Sequence, residues 1–195
     1  MTAQTDYQQT LDIAMGAVRA GRLDEADHLL QHASQLDPSA AIPYFLLGAN
    51  AAEAGRVDGA ESAFIACLSR APNLAIARFQ LGLLQMTNGR PGTAASTWEP
   101  LFLLDDQQPL KHFAAGMIDI TRGQPDSARQ RIEAGIELNQ ANPALNKDMQ
   151  GVLARLAGLA GNPSAPSTMQ EPAAAGTVDD ETSTEHVLLS GYRQA

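Results

Sequence analysis

The sequence predicts an all-α solenoid of stacked helix pairs, and three periodic series carry that prediction. Gly21, Gly55, Gly89 and Gly123 recur every 34 residues, and so do Ala26, Ala60, Ala94 and Ala128. Gly48, Gly82 and Gly116 keep the same spacing, with Ala14 one period upstream. Small residues at a fixed period mark close approaches between helices and turns that need a permissive backbone.

Turn residues and prolines place the elements in order. The first pair is expected over about 7–20 and 23–36, broken at Gly21 and ended by Asp37-Pro38, where the residue before proline leaves the helical region. The second covers about 41–54 and 57–70, with Pro43 tolerated in the first turn because its missing N–H has no intrahelical partner there. The third covers about 75–88 and 91–104, with Pro91 at a helix start and Pro100 expected to kink or shorten the second helix. The fourth covers about 109–122 and 125–141, with Pro109 and Pro125 near helix starts. The repeats then fall at about 7–40, 41–74, 75–108 and 109–142. A last helix over 143–160 carries Leu145, Met149, Val152, Leu153, Leu156 and Leu159 on one stripe. The end of a solenoid must cover an apolar face on one side and meet water on the other, so this helix caps an array spanning 1–160.

Composition changes after Gly161. Residues 161–184 are rich in Pro, Ser, Ala, Gly, Thr and acid, with Met169 and Val178 as the larger apolar side chains, and are expected to be a disordered linker. Residues 185–195 bring Val187, Leu188, Leu189 and Tyr192 close together, and Thr182 with Glu185 has the form of a capping box ahead of them. A short amphipathic C-terminal helix acting as a docking motif is the expectation.

These marker positions resemble the tetratricopeptide repeat over roughly 7–142. The second copy matches most fully, through Tyr44, Leu47, Gly48, Gly55, Ala60, Phe64 and Pro72. The first keeps Gly21, Ala26, Ala33 and Pro38; the third keeps Leu81, Gly82, Gly89 and Ala94, with Trp98 at the large second-helix position. The fourth keeps Gly116, Gly123 and Ala128 but has Gln140 where a terminating proline is usual, as the third has Asp106. The resemblance implies a superhelical array that serves as a protein-interaction scaffold, with the first helix of each pair lining a concave face. In size, acidity and repeat layout the chain is also similar, more weakly, to the translocator chaperones of type III secretion. The fourth repeat and the long linker depart from them.

The chain of 195 residues is long enough for one sizeable core plus a tail. Its net charge of −9 argues against nucleic acid and anionic membrane surfaces, both of which need clustered Lys and Arg. The single cysteine leaves the redox compartment open. The polar start from Met1 to Asp6 does not read as a secretory signal, and no apolar run reaches the roughly eighteen residues that span a bilayer. A soluble cytoplasmic protein of bacterial type is therefore the expectation, with no cofactor.

On the concave face that the resemblance implies, residues three before the repeat glycine are Phe45, Phe79 and Phe113, with Leu11 in the first copy. One past the glycine are Ala49, Leu83 and Met117, with Met15; three further on are Ala52, Met86 and Ile120, with Val18. Spacings of three and four share a helix face, so these residues are expected to form an apolar partner-binding groove. Phe79 then faces the groove and tolerates a charge, whereas Phe64 packs in the core. Family members that grip a chaperone's acidic C-terminus use Lys, Asn and Arg, where this chain has Leu11, Met15, Leu46, Ile76 and Gln80, so a carboxylate clamp is not expected.

The chemistry-bearing residues read as structural. His28 and His32 lack a third metal ligand at suitable spacing, Cys67 stands at a small buried position, and Gly89-Arg-Pro-Gly92 follows a helix and lacks the lysine of a phosphate loop. The expected function is a non-catalytic adaptor that holds an apolar peptide or helix, self-regulated by its C-terminal motif, with a homodimer if that motif exchanges between chains. The alternatives are a secretion chaperone and a regulatory subunit that docks through its tail.

Overall fold

The computed structural model describes residues 3–160, and their elements are all helical. In order they are α1 (Ala3–Arg19), α2 (Leu23–Leu36), α3 (Ile42–Glu53), α4 (Val57–Arg70) and α5 (Ala75–Thr87). Next come α6 (Pro91–Trp98) with a 3-10 turn over Glu99–Leu103, α7 (Pro109–Thr121), α8 (Pro125–Leu138) and α9 (Pro143–Ala160). Helices pair as α1 with α2, α3 with α4, α5 with α6 and α7 with α8, and the pairs stack in chain order with α9 against α8. The linker and C-terminal motif expected over 161–184 and 185–195 lie outside the described residues. No helix among the described residues is long and apolar enough to cross a membrane.

The periodic glycines have two separate physical roles. At the turn inside each pair, Gly21, Gly55, Gly89 and Gly123 adopt φ between 68° and 74°, the left-handed region that a Cβ disfavours. Gly55 shows the consequence: its N–H donates to Ala52 O at 3.0 Å and the Arg56 N–H to Ala51 O at 2.8 Å, a Schellman closure of α3. The other three turns repeat that pair of bonds. The second series lies at helix contacts. A Cβ at Gly82 would collide with the Trp98 indole at Nε1, and one at Gly48 would stand 2.7 Å from the Phe64 ring. Large residues at 64, 98 and 132 thus press on glycines at 48, 82 and 116; in the first copy Ala14 and Leu30, both fully buried, occupy the matching positions.

Polar contacts set how successive pairs join. Asp27 on α2 accepts from Asn50 Nδ2 at 3.0 Å and pairs with Arg56 at 2.6 Å. One period on, Glu61 accepts from Gln85 Nε2 at 3.1 Å and pairs with Arg90 at 2.7 Å. The Arg90 and Gln85 hydrogen bonds hold the Glu61 carboxyl below its usual value of 4.5, so this contribution is complete above that pH and is lost as pH falls through the lowered value. A further period on, the corresponding residues are Ala95 and Gln124, so the pattern stops. Pro100 ends α6 early, as its place in the sequence predicts, and the 3-10 turn leaves Leu103 88% exposed. Here Lys111 ties the connector instead, donating to Leu104 O at 2.8 Å and Asp106 Oδ1 at 2.6 Å. Asp119, buried on α7, pairs inside its own repeat with Arg131 at 2.8 Å and accepts from Ser127 Oγ at 2.6 Å.

Apart from the end of α6, two boundaries differ from the sequence expectation by more than one residue. α1 begins four residues earlier than 7, and α8 ends at Leu138 rather than near 141. The second difference has a cause: Asn139, Asn142 and Asn146 bond to each other's side chains and to nearby main chain, forming a turn in place of another helical residue or a proline.

Gly82→Ala is expected to destabilise the chain by at least about 1–3 kcal/mol, because a buried indole cannot withdraw from the added methyl. Gly16→Ala is the control: nothing lies within 4 Å of its Cβ position in the last turn of α1, so it is expected to add up to about 0.5–1 kcal/mol. Urea denaturation followed by circular dichroism measures both, and equal effects would overturn the close-packing account.

Candidate partner-binding site

The structure separates the expected groove residues into two sets. Met15, Ala49, Leu83, Met86 and Ile120 are half-buried and packed against the core, and Ala52 is exposed. Leu11, Val18, Phe45, Phe79, Phe113 and Met117 are buried. For all six of these buried residues, Leu11, Val18 and Met117 as well as the three phenylalanines, this corrects the groove assignment. Phe79 stacks on Trp98 with ring centroids 5.7 Å apart and meets Phe113 at 6.2 Å, while Phe45 meets Phe64 at 6.1 Å. These rings are core.

The physical reason is the number of neighbours around a first helix. α5 contacts its own second helix α6, the preceding α4, and the first helices α3 and α7 on either side. Helices on that many sides enclose more of its circumference than one stripe. The buried residues of α3 are Pro43, Phe45, Leu46, Gly48, Asn50 and Ala51, spread around most of the helix. What remains open is a narrower apolar strip of half-buried residues on the first helices, Met15, Ala49, Leu83, Met86 and Ile120. Periodicity alone could not find this boundary, because the buried and half-buried residues share the same spacing.

Cys67 is fully buried, and burial pushes its thiol up to about 11 against a small opposing pull from Arg70. His28 and His32 are exposed on α2. No group of three or more metal-ligating side chains occurs among the described residues. Val187, Leu188, Leu189 and Tyr192 of the expected docking motif lie outside the described residues.

Four helix pairs stacked in register, each closed by the same glycine turn and finished by a single helix, define an α-solenoid with its apolar strip along the first helices. No protein-family model and no curated sequence matches the chain. Solved structures do match. TTC0263, a thermophilic TPR protein in Thermus thermophilus, aligns over 80% of this chain and 83% of its own, with 17% identity and a TM-score of 0.64. MamA aligns over 69% of this chain and 78% of its own, with 19% identity and a TM-score of 0.58. MamA from residue 41 to its end, from Desulfovibrio magneticus RS-1, aligns over 82% and 97%, with 14% identity and a TM-score of 0.58. The chain has the fold of a tetratricopeptide-repeat protein.

Phe79→Glu is now expected to unfold the array as Phe64→Glu does, each costing at least about 3–5 kcal/mol, since both side chains are enclosed and a charge there has no partner. A Phe79→Glu chain that melts like the wild type would place that ring outside the core. Cys67 is expected to resist a bulky thiol reagent under native conditions and to react only as fast as the chain unfolds. Rapid labelling in the folded state would contradict the burial.

Proposed function

We propose that the protein is a non-catalytic interaction scaffold that holds an apolar peptide or amphipathic helix along the first helices, and that its C-terminal segment 185–195 regulates this binding. One observation carries the reading: Met15, Ala49, Leu83, Met86 and Ile120 repeat along α1, α3, α5 and α7 as half-buried apolar side chains. Each packs against the core yet keeps part of its surface open, which lets a partner bury further area without rearranging the array. Two of the five are methionines, whose unbranched, polarizable side chains adapt to partners of varied shape. The likeness to solved tetratricopeptide-repeat structures supports a scaffold role.

The test uses apolar peptides selected from a random library against the full chain. Leu83→Glu and Met86→Glu are expected to weaken the selected peptides at least about tenfold, the loss of a modest hot spot, while the melting temperature stays nearly unchanged. Peptides that bind both variants like the wild type would sink the groove reading. Retention of a partner when Leu188 and Leu189 are changed to Ser separates a groove scaffold from an adaptor that works through its tail.

A further inference from the structure

The three joints between consecutive helix pairs are held by different chemistry. At the second joint the Glu61 carboxylate on α4 receives both arms of Arg90, at 3.1 and 2.7 Å, and the Gln85 amide at 3.1 Å. Gln85 Oε1 in turn accepts from Thr97 Oγ1 at 2.7 Å, so α4, α5 and α6 share one network. At the first joint Asp27 on α2 holds Asn50 on α3 and Arg56 at the start of α4. Charge-assisted hydrogen bonds that converge on one carboxylate fix angle as well as distance, so both joints resist rotation.

The third joint has no such fastening. Ala95 stands at the carboxylate position and Gln124 at the arginine position. Asp119 occupies the place of Asn50 and Gln85 but is turned to its own pair, bonding Arg131 at 2.8 Å and Ser127 at 2.6 Å on α8. The end of α8 is fastened onward to α9, where Asn139 Nδ2 donates to Asn146 Oδ1 at 2.8 Å. Lys111 bonds Leu104 O and Asp106, and His112 Nε2 donates to Asp106 O at 2.7 Å. These last bonds tie the connector to α7, not α7 to α5 or α6.

The contacts that join the third pair to the fourth are apolar. Phe79 meets Phe113 at 6.2 Å with the rings tilted by 50°, and Leu101 is buried beside them in the core. Apolar contacts are non-directional, so helices can pivot on them where a charged fork would hold them. Space for the motion lies at the start of α7. Residues 107–110 border a cavity of about 570 Å³, lined also by Leu74, Ile76 and Leu145 and by several Asn and Gln side chains. Close packing on that side would resist displacement, and the cavity relieves it.

We infer that the array consists of two rigid bodies, α1–α6 and α7–α9, that bend against each other about the connector at 104–108. Met15, Ala49, Leu83 and Met86 ride on the first body and Ile120 on the second, so bending changes the separation of the two parts of the strip. This is a property of the free chain and does not depend on what the strip binds.

The experiment measures distance distributions between paired spin labels on the full chain, with Cys67→Ala so that only the introduced cysteines are labelled. His28, Ser62, Ser96 and Gln130 are exposed and stand 34 residues apart, at one position of the four second helices. Labels on His28→Cys with Ser96→Cys span the first two joints; labels on Ser62→Cys with Gln130→Cys span the second and third. The second distribution is expected to be the broader, while hydrogen exchange in α7 and α8 stays as slow as in α3 and α4, because bending opens no helix. Equal widths overturn the inference. So does a broad distribution with fast exchange in α7 and α8, which is local unfolding. Arg90→Gln gives the second joint the residue that the third has at Gln124, and is expected to broaden the distribution across the first two joints with circular dichroism unchanged. If that distribution does not move, the arginine fork is not what stiffens a joint, and the two-body account fails.

Discussion

The indole of Trp98 over Gly82 is the contact on which the middle of the array depends. The ring lies where a Cβ would be, its Nε1–H donates to Phe79 O at 3.0 Å, and its face stacks on the Phe79 ring. One side chain thereby joins the two helices of the third pair through packing, a hydrogen bond and an aromatic contact, and reaches the fourth pair through Phe79 and Phe113. α6 is only eight residues long, so without the deep seating of its last residue it would have little to hold it.

The joints between pairs are not equivalent, and polar chemistry is where they differ. Asp27 with Arg56, and Glu61 with Arg90, place a carboxylate on a second helix against an arginine at the start of the next pair's second helix. Their acidic members are largely buried and bonded to an additional amide, Asn50 or Gln85, which makes these pairs more than exposed surface contacts. The joint after α6 has neither group and relies on Leu101 and on Lys111 holding the connector. A similar division appears on the surfaces available to partners. The strip along the first helices is apolar and open, whereas the turns at α5, α7 and α9 combine an apolar floor with neutral amides.

Much of the fold was legible because a repeat imposes the same local requirements several times over. A single glycine is weak evidence for a left-handed turn, but four at one spacing, each with positive φ in the structure, leave little else they could be. Pro100 announced the shortened α6, since a proline inside a helix removes a hydrogen bond and clashes with the preceding turn. The end of α8 was not legible, because Asn139, Asn142 and Asn146 make their turn through side chains whose mutual geometry has no sequence period.

By itself the sequence determined the helix-pair solenoid, the turn positions and which small residues meet large ones, all consequences of backbone sterics and spacing that act within a repeat. Tertiary structure decided which face of each first helix stays open. Phe45, Phe79 and Phe113 share the spacing of groove residues, and only the contacts from neighbouring helices enclose them while leaving Met15, Leu83 and Met86 half-exposed. The same holds for the amide-lined cavity, whose wall gathers residues from 73 to 145. Periodicity specifies what each residue does along its own helix, but exposure depends on how many neighbours surround it, and that is fixed only when the repeats stack.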